Sequence, residues 1–266
     1  MIPRFLLVTG TDTGVGKTIA TAALAATLRA AGRRVIMCKP IQTGHISPDD
    51  PQREHLEADY SDVVTESDAQ IVARLTGIHT FTNITLRLPM APLPAARLEA
   101  TGSVSATAGA ASILPSAAEH AQLIATVAER TRADHVLIEG SGGVLVAFGG
   151  HPAAAILACL SPDPDSVGAV IVSRSRLGTL NHAALTAEAL GNRHISVTGI
   201  IMGSWPEPAP PVDRDNRCAL SAIAPILGAV PAGAGHRLGP GEFTAQAPGW
   251  LYLPWCPRTG CAAPRR

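Results

Sequence analysis

The sequence lacks the features that mark several broad classes of protein. Its 21 Lys+Arg residues balance 21 Asp+Glu residues, so no overall field attracts nucleic acid or anionic lipid. The five cysteines form no CxxC pair, which favours a reduced, cytoplasmic protein. No apolar run approaches the ~20 residues of a membrane span, and no cleavable apolar segment follows a basic start. We therefore expect neither nucleic acid nor a membrane as a partner.

What is present is enough apolar material for a sizeable core. Hydrophobic residues make up 46% of the 266 residues, a length that permits one large α/β domain or two small ones. Short apolar runs alternate with helical stretches, which implies a mostly parallel central sheet with helices on both faces. The predicted strands are residues 5–9, 34–38, 135–138, 169–172, 198–202 and 228–230, and the predicted helices are residues 18–31, 116–130 and 179–190. Ligands of such sheets bind beyond the carboxyl ends of the strands.

The stretch VTGTDTGVGKT joins the first predicted strand to the first predicted helix, which is the context of a phosphate-binding P-loop. Five residues separate Gly10 from Gly16, one more than in the usual template. Gly14 and Gly16 let backbone N–H groups turn inward, and the helix presents its positive end to the same point. Lys17 adds a mobile positive charge, and the Thr18 hydroxyl can bind Mg²⁺. We therefore expect an α/β fold of the P-loop NTPase type.

Three charged residues are candidates for the same edge of the sheet. Lys39 ends an apolar strand that Pro40 is expected to stop, so its ammonium can reach the phosphates, although a lysine snorkelling at a strand end would look the same. Glu139 closes another apolar strand, where a carboxylate can hold Mg²⁺ opposite Thr18. Asp68 is a candidate second ligand. Its position in a predicted first helical turn is equally explained by the helix dipole.

A second anion site is predicted in the stretch RLGTLNHAALT. This stretch follows the predicted strand 169–172 and opens a helix, so its first N–H groups are exposed and suit a carboxylate. An ordinary turn between a strand and a helix remains the alternative. The residues concerned are Gly178, Thr179, Leu180 and Asn181.

Seven runs together resemble one family, the ATP-dependent dethiobiotin synthetases of biotin biosynthesis. They occur in the family's order and span most of residues 5–231: VTGTDTGVGKT, CKPIQTG, SDAQIVARLTG, PMAP, LIEGSGG, RLGTLNHAALT and GIIMGSW. The P-loop of that family has the same extra residue. The resemblance implies an enzyme that joins CO₂ to 7,8-diaminononanoate and closes a cyclic urea, while ATP becomes ADP and phosphate.

The resemblance also implies roles for individual residues. An amine forms a carbamate, the carbamate oxygen attacks the γ-phosphate, and the second amine displaces phosphate. Lys17 and Lys39 would neutralise the γ-phosphate and the carbamate, and Thr43 would hydrogen-bond the carbamate. Mg²⁺ would be held by Thr18, Asp68 and Glu139. No protein nucleophile is needed, since phosphoryl transfer depends mainly on positioning and charge.

The nucleotide and substrate sites implied by the family extend over several loops. The nucleotide would contact Thr13, Gly14, Val15, Gly16, Lys17, Thr18, Gly203 and Pro231. The substrate would contact Thr13, Lys39, Thr43, Gly142, Gly143, Gly178, Thr179, Leu180 and Asn181. In the family the active site lies at the interface of a homodimer, and the turn like that at Gly178 comes from the partner subunit and binds the substrate's terminal carboxylate.

The sequence departs from the family at Gly203, over residues 146–170, in two inserts and at its carboxyl end. Gly203 stands where some members have an Asn that reads the adenine base, so other nucleoside triphosphates are expected to substitute for ATP. Residues 146–170 contain several prolines where the family usually has an acidic-apolar helix. The inserts before Asp68 and around residues 102–109 are expected to be surface loops, and residues 99–115 a flexible connector. We expect one P-loop synthetase domain over residues 1–235 and an irregular tail over residues 236–266.

Two other interpretations remain open at this point. One is a different P-loop ATPase, such as a partition ATPase or a cobyrinate-amidating enzyme. The first would carry an extra Lys early in the loop, and the second would need a glutaminase domain for which the chain has no room. The other is a nucleotide-binding protein that has lost turnover through the change at residues 146–170.

Overall fold

The computed structural model describes residues 2–101 and 114–253, and its central feature is a seven-stranded parallel sheet. The strands of this sheet in chain order are β1 (Phe5–Gly10), β2 (Val35–Gln42), β3 (His79–Thr85), β4 (His135–Gly143), β7 (Val167–Ser173), β8 (Val197–Trp205) and β9 (Ile226–Pro231). Their spatial order is β3-β2-β4-β1-β7-β8-β9, with every pair parallel. Two short strands, β5 (Ala147–Phe148) and β6 (His151–Pro152), form a separate antiparallel pair.

Helices cover both faces of the large sheet. In chain order the described helices are α1 (Lys17–Ala30), α2 (Arg53–Asp59), α3 (Asp68–Thr76), α4 (Pro92–Thr101), α5 (Ala117–Arg130), α6 (Ala154–Leu160), α7 (Thr179–Gly191), α8 (Pro211–Leu220), α9 (Ala234–Arg237) and α10 (Pro240–Trp250). The helices α1, α3 and α10 pack together on one face, and α5 and α6 pack together on the other. The predicted α/β architecture is therefore confirmed.

The central strand β1 shows why the sheet needs both layers. Leu6 and Val8 belong to the core beneath α1, while Phe5 and Leu7 belong to the core on the opposite face. Successive side chains of a strand point to opposite faces, so a run that is apolar at every position is stable only when both faces are covered. All six residues of β1 are buried.

Strand β2 is longer than the sequence predicted, because Pro40 does not end it. The strand continues to Gln42. Beyond Cys38 its described pairing is with the edge strand β3 alone, where Lys39 lies opposite Thr82 and Ile41 opposite Ile84. A proline costs a sheet least where one side of the strand has no ladder to lose. Lys39 therefore lies inside the strand, three residues before its end.

Several elements lay outside the sequence prediction. Strand β3 carries the mixed sequence HTFTNIT, which lacks the apolar run of a central strand because it lies at an edge of the sheet. The insert before Asp68, expected to be a surface loop, contains helix α2, which has no buried residue. The polar insert is thus a surface feature with one short helix. Residues 102–109, expected to form a loop, lie outside the described residues, as does most of the predicted connector 99–115.

The unusual stretch 146–170 still provides a helix. After the β5–β6 pair, helix α6 buries Ile156 and Leu157 against the sheet. Pro152 precedes this helix in strand β6, and Pro164 begins a short 3₁₀ turn after it. The prolines therefore border the helix and do not interrupt it.

Part of the segment after residue 235, where the sequence predicted an irregular tail, forms helix α10. Gly239 and Pro240 start the helix, and Phe243 is fully buried against α1. Its apolar positions follow no clear helical period, and Pro248 lies inside it, so the sequence signal for a helix was weak. Residues 254–266 lie outside the described residues. Among the helices that are described, none is long and apolar enough to cross a membrane.

Candidate active site

The glycine-rich loop between β1 and α1 has the geometry of an anion cradle. Gly16 caps α1 with a φ of 92°, and no side chain caps the first N–H groups of this helix. A Cβ atom at Gly16 would lie 2.4 Å from the Gly203 carbonyl oxygen, so this position requires glycine for both its φ and its space. The uncapped N–H groups and the positive end of the helix therefore point to the place where a phosphate would bind.

Lys17 begins α1 and bends back over the loop. Its Nζ donates a hydrogen bond to the Asp12 carbonyl oxygen at 2.9 Å, and the residue is buried. Burial and then the nearby charge of Lys39 lower the pKa of Lys17 to about 8, against the attraction of Glu139 and Asp68. A buried ammonium group next to another cation is strongly stabilised when an anion binds close to it.

Lys39, three residues before the end of β2, lies between the carboxylates of Glu139, within β4, and Asp68, at the start of α3. Its Nζ is 2.6 Å from Asp68 Oδ2 and 3.1 Å from Glu139 Oε1. It also donates to the Gly140 carbonyl oxygen at 3.2 Å. The Thr18 hydroxyl approaches the same carboxylates, at 2.9 Å from Asp68 Oδ1 and 3.0 Å from Glu139 Oε1. Four residues that are far apart in the chain thus meet at one point.

The electrostatics of this cluster follow from its burial. Burial opposes a charge on Lys39, but Glu139 and Asp68 outweigh it and raise the pKa of this ammonium group. Burial raises the pKa of Glu139, against the opposing charge of Lys39 and with a further contribution from the Asp68 charge. Burial acts in the same direction on Asp68, but the charge and hydrogen bond of Lys39 outweigh it and lower the pKa of this carboxyl. The cluster is held together by the attraction between Lys39 and the two acids.

The donor set fits a hard divalent cation such as Mg²⁺. Glu139 Oε2 is buried without a hydrogen-bond partner among the described residues, so this oxygen is available to a ligand. Thr18 and Asp68 place further oxygen atoms beside it. Mg²⁺ binds through one or two carboxylates and takes its remaining ligands from water and phosphate. Thr18, Asp68 and Glu139 would therefore be the residues that hold it.

Gln42 is a positioning residue that the sequence analysis missed. Its amide nitrogen donates to the Thr43 carbonyl at 2.9 Å, and its amide oxygen accepts from the Asp68 backbone N–H at 3.0 Å. The buried side chain therefore fixes the start of α3, and with it the Asp68 carboxylate, against the end of β2. Its presence in the run CKPIQTG was the available signal, but the contact with Asp68 is not visible in the sequence.

The remaining predicted nucleotide and substrate residues lie at the same edge of the sheet. Gly143 pairs with Gly10 at the start of the loop, and a Cβ atom at Gly142 would lie 3.4 Å from the Thr13 hydroxyl. Pro231, at the end of β9, pairs with Trp205 at the end of β8. The structure therefore brings the P-loop, the end of β4 and the ends of β8 and β9 together.

The predicted second anion site begins helix α7. Gly178 caps this helix with a φ of 90° and without a side-chain cap, and Leu180 and Asn181 are exposed. The Thr179 hydroxyl is buried and hydrogen-bonds to Ser173 and to the Arg174 carbonyl oxygen. Over residues 2–101 and 114–253, no hydrogen bond or ion pair joins this turn to the cluster around Lys39. Within one chain, this turn is thus not bonded directly to that cluster.

Known families and proteins resemble this chain over most of its length. A family model described as an AAA domain matches residues 4–235. The ATP-dependent dethiobiotin synthetase BioD of Mycobacterium avium (strain 104) is 39% identical over 254 residues, which cover 94% of this chain and 96% of that protein. The chain belongs to the ATP-dependent dethiobiotin synthetase family. The family predicted from the seven sequence runs is therefore confirmed, as is its class, an ATP-dependent ligase that forms C–N bonds.

A second dethiobiotin synthetase, from Streptomyces avermitilis, is 40% identical over 257 residues, which cover 96% of this chain and 93% of that protein. Among solved structures, the cell division protein ftsY of Thermotoga maritima has a TM-score of 0.47 and 16% sequence identity. The similarity covers 92% of this chain and 68% of that one. Membership of the synthetase family argues against a partition ATPase or a cobyrinate-amidating enzyme.

Proposed function

We propose that the chain converts 7,8-diaminononanoate, CO₂ and ATP into dethiobiotin, ADP and phosphate, with Mg²⁺ as the metal. The observation that carries the proposal is the convergence of Lys17, Lys39, Thr18, Asp68 and Glu139 at the carboxyl edge of the sheet. Two cations and a set of oxygen atoms suited to a metal ion meet there, where we place the reaction of the triphosphate with the carbamate. The location in the cytoplasm stays a prediction.

In this proposal the lysines stabilise negative charge as it moves between the reactants. Lys17, held over the loop by the Asp12 carbonyl, is placed to neutralise the phosphates. Lys39 remains charged because Asp68 and Glu139 outweigh the effect of burial and raise its pKa. Its positive charge would neutralise both the carbamate and the γ-phosphate. Mg²⁺, when bound, supplies further positive charge for the transferring phosphoryl group. Thr43, next to the end of β2, would orient the carbamate by a hydrogen bond.

We further propose a homodimer in which α7 of one subunit reaches the active site of the other. The uncapped N–H groups at the start of α7 would bind the terminal carboxylate of the substrate. Leucines around this turn are exposed in the single chain: Leu177 is 93% accessible, Leu145 59% and Leu185 56%. Exposed apolar side chains grouped beside polar ones are typical of an interaction surface. A second subunit would cover them and complete the site.

A reconstituted assay tests the activity directly. The protein is incubated with 7,8-diaminononanoate, bicarbonate and MgATP, and phosphate and dethiobiotin are both measured. We expect phosphate release to require both co-substrates and to match dethiobiotin formation. A Glu139→Gln variant, purified in parallel, should form far less product and controls for contaminating enzymes. Nucleotide binding without product would instead support a homologue that has lost turnover.

A further inference from the structure

The P-loop, one residue longer than the usual template, has exposed polar groups at Asp12 and Thr13 that contacts within the loop satisfy only in part. The Thr13 N–H is satisfied by Asp12 Oδ1 at 2.7 Å. The Asp12 carbonyl is satisfied by Lys17 Nζ at 2.9 Å. Both contacts come from inside the loop, and the Thr13 carbonyl and the second Asp12 carboxylate oxygen remain. An unfixed peptide in a phosphate-binding loop would present its N–H groups in more than one direction.

Arg174, which follows strand β7, supplies both missing contacts. Its Nη2 donates to the Thr13 carbonyl oxygen at 2.9 Å and lies 3.5 Å from Asp12 Oδ2. The same atom is 4.0 Å from the position that a Cβ of Gly14 would occupy, so the guanidinium lies against the tip of the loop. Strand β7 pairs with β1, and the Thr11 N–H donates to the Val172 carbonyl at 3.0 Å. The backbone of Arg174 is therefore held close to the loop, because the strand before Arg174 pairs with the strand before the loop.

The main chain of Arg174 makes a second connection, toward the start of α7. Its carbonyl oxygen accepts the Thr179 hydroxyl at 2.7 Å and the Ser173 hydroxyl at 2.9 Å. One residue thus connects the tip of the nucleotide loop to the turn that we propose for the substrate's carboxylate.

We propose that Arg174 is a positioning residue for nucleotide binding. This inference rests on the proposed function of the same site. Arg174 holds the Thr13 carbonyl outward, so that the N–H groups that follow, from Gly14 onward, face the phosphates. It acts through the loop and does not itself touch the nucleotide. A positioning role requires a hydrogen-bond donor, whereas a role as a simple counter-ion requires only positive charge.

Three variants separate these roles: Arg174→Ala removes donor and charge, Arg174→Gln keeps a donor, and Arg174→Lys keeps a donor with a point charge. We expect Arg174→Ala to raise the Kd for MgATP about tenfold, the effect of one charge-assisted hydrogen bond. The KM for ATP should rise with it, while kcat changes less than about threefold, because binding is what the loop geometry controls. The Gln and Lys variants should each recover part of the affinity.

Arg193→Ala is the matched control, since Arg193 is also exposed and donates to a carbonyl, that of Ala189, at 2.7 Å. It should bind MgATP like the wild type. Isothermal titration calorimetry with MgATP measures each Kd without turnover. The proposal is overturned if Arg174→Ala binds normally, or if Lys restores affinity and Gln does not. Failure of the proposed function is a different result, a wild type that binds MgATP but forms no dethiobiotin.

Discussion

At the residue scale, the chain contains two lysines, Lys17 and Lys39, and both reach the same site. The position of Lys17 in the site could be predicted from the sequence because the loop motif is continuous. A strand-end lysine such as Lys39 often only reaches solvent, but in the structure its side chain is 4% exposed and lies between two acids. Gln42 and Arg174 were missed because their partners, Asp68 and Thr13, are distant in the chain.

Removing either lysine should mainly reduce turnover. We expect Lys17→Ala and Lys39→Ala to lower kcat by ~10²–10³, the scale for losing one preorganised charge-stabilising group. Steady-state dethiobiotin formation at saturating MgATP measures the effect. Near-normal turnover in both variants would refute the assignment of these lysines.

The Lys39→Ala variant needs a control for folding, because removal of the lysine side chain leaves Asp68 and Glu139 close together without a cation between them. Urea unfolding of each variant provides that control. A Lys39→Ala protein that is unfolded under assay conditions would say nothing of catalysis. In that case the result for Lys17→Ala is the one to interpret, because the Lys17 ammonium is hydrogen-bonded to a backbone carbonyl and its loss leaves no carboxylate without its partner.

Gly203 predicts weak discrimination between nucleotide bases. No side-chain amide is present there to read adenine, and one lost hydrogen bond is worth ~1 kcal/mol or somewhat more. We expect kcat/KM for CTP and GTP to lie within about tenfold of that for ATP. A thousandfold preference for ATP would overturn this prediction.

Placing an asparagine side chain at residue 203 is not expected to give selectivity for adenine without also changing the affinity for nucleotides. A Cβ atom at Gly203 would lie 1.9 Å from the Val15 carbonyl oxygen, inside the nucleotide loop. Gly203→Asn is therefore expected to weaken the binding of every nucleotide, because the loop must move to make room. Binding measurements with ATP and CTP on this variant distinguish lost affinity from gained selectivity.

At the scale of elements, the predicted helices near α1, α5 and α7 were found, since each has a continuous helical sequence. The edge strand β3 and helix α10 were not, because edge position and an internal Pro248 erase the usual periodic signal. Tertiary packing makes up for the weak local preference of α10. Phe243 is fully buried, with its ring 5.2 Å from that of Trp250.

Helix α10 should accordingly contribute to global stability. We expect Phe243→Ala to lower the free energy of unfolding by about 3–5 kcal/mol, the range for emptying a buried aromatic site. Gln246→Ala, on the exposed side of the same helix, should change it by less than about 0.5 kcal/mol. If urea unfolding shows a loss of stability for Phe243→Ala as small as that for Gln246→Ala, α10 is not part of the cooperative core.

At the scale of the whole molecule, the sequence predicted the layers of the fold but could not predict the order of the strands. That order depends on which crossover passes over which face. It places β1 between β4 and β7, so that the nucleotide loop is flanked by the end of β4 and by Arg174. The homodimer was likewise implied by family resemblance alone, and the exposed leucines near α7 are consistent with it.

A charge placed in that apolar surface tests the dimer. Leu185 borders a groove of about 350 Å³ between the end of β4 and α7. We expect Leu185→Glu to convert the dimer to monomer in sedimentation equilibrium and to lower turnover, because a charge is costly to bury at an interface. Tyr252→Glu, at an exposed position after α10, should leave the dimer intact. A monomeric wild type would contradict the proposed shared site.

Because the chain has only two lysines, NMR spectroscopy can follow the active site through their side chains. All other basic side chains that are permanently charged are arginines, so isotopic labelling of lysine would give two ε-ammonium signals from the 266-residue chain. Both would come from the active site, one beside a backbone carbonyl and one between two acids. Nucleotide, diamine and Mg²⁺ could each be followed separately through those two resonances, with no assignment of the remaining spectrum.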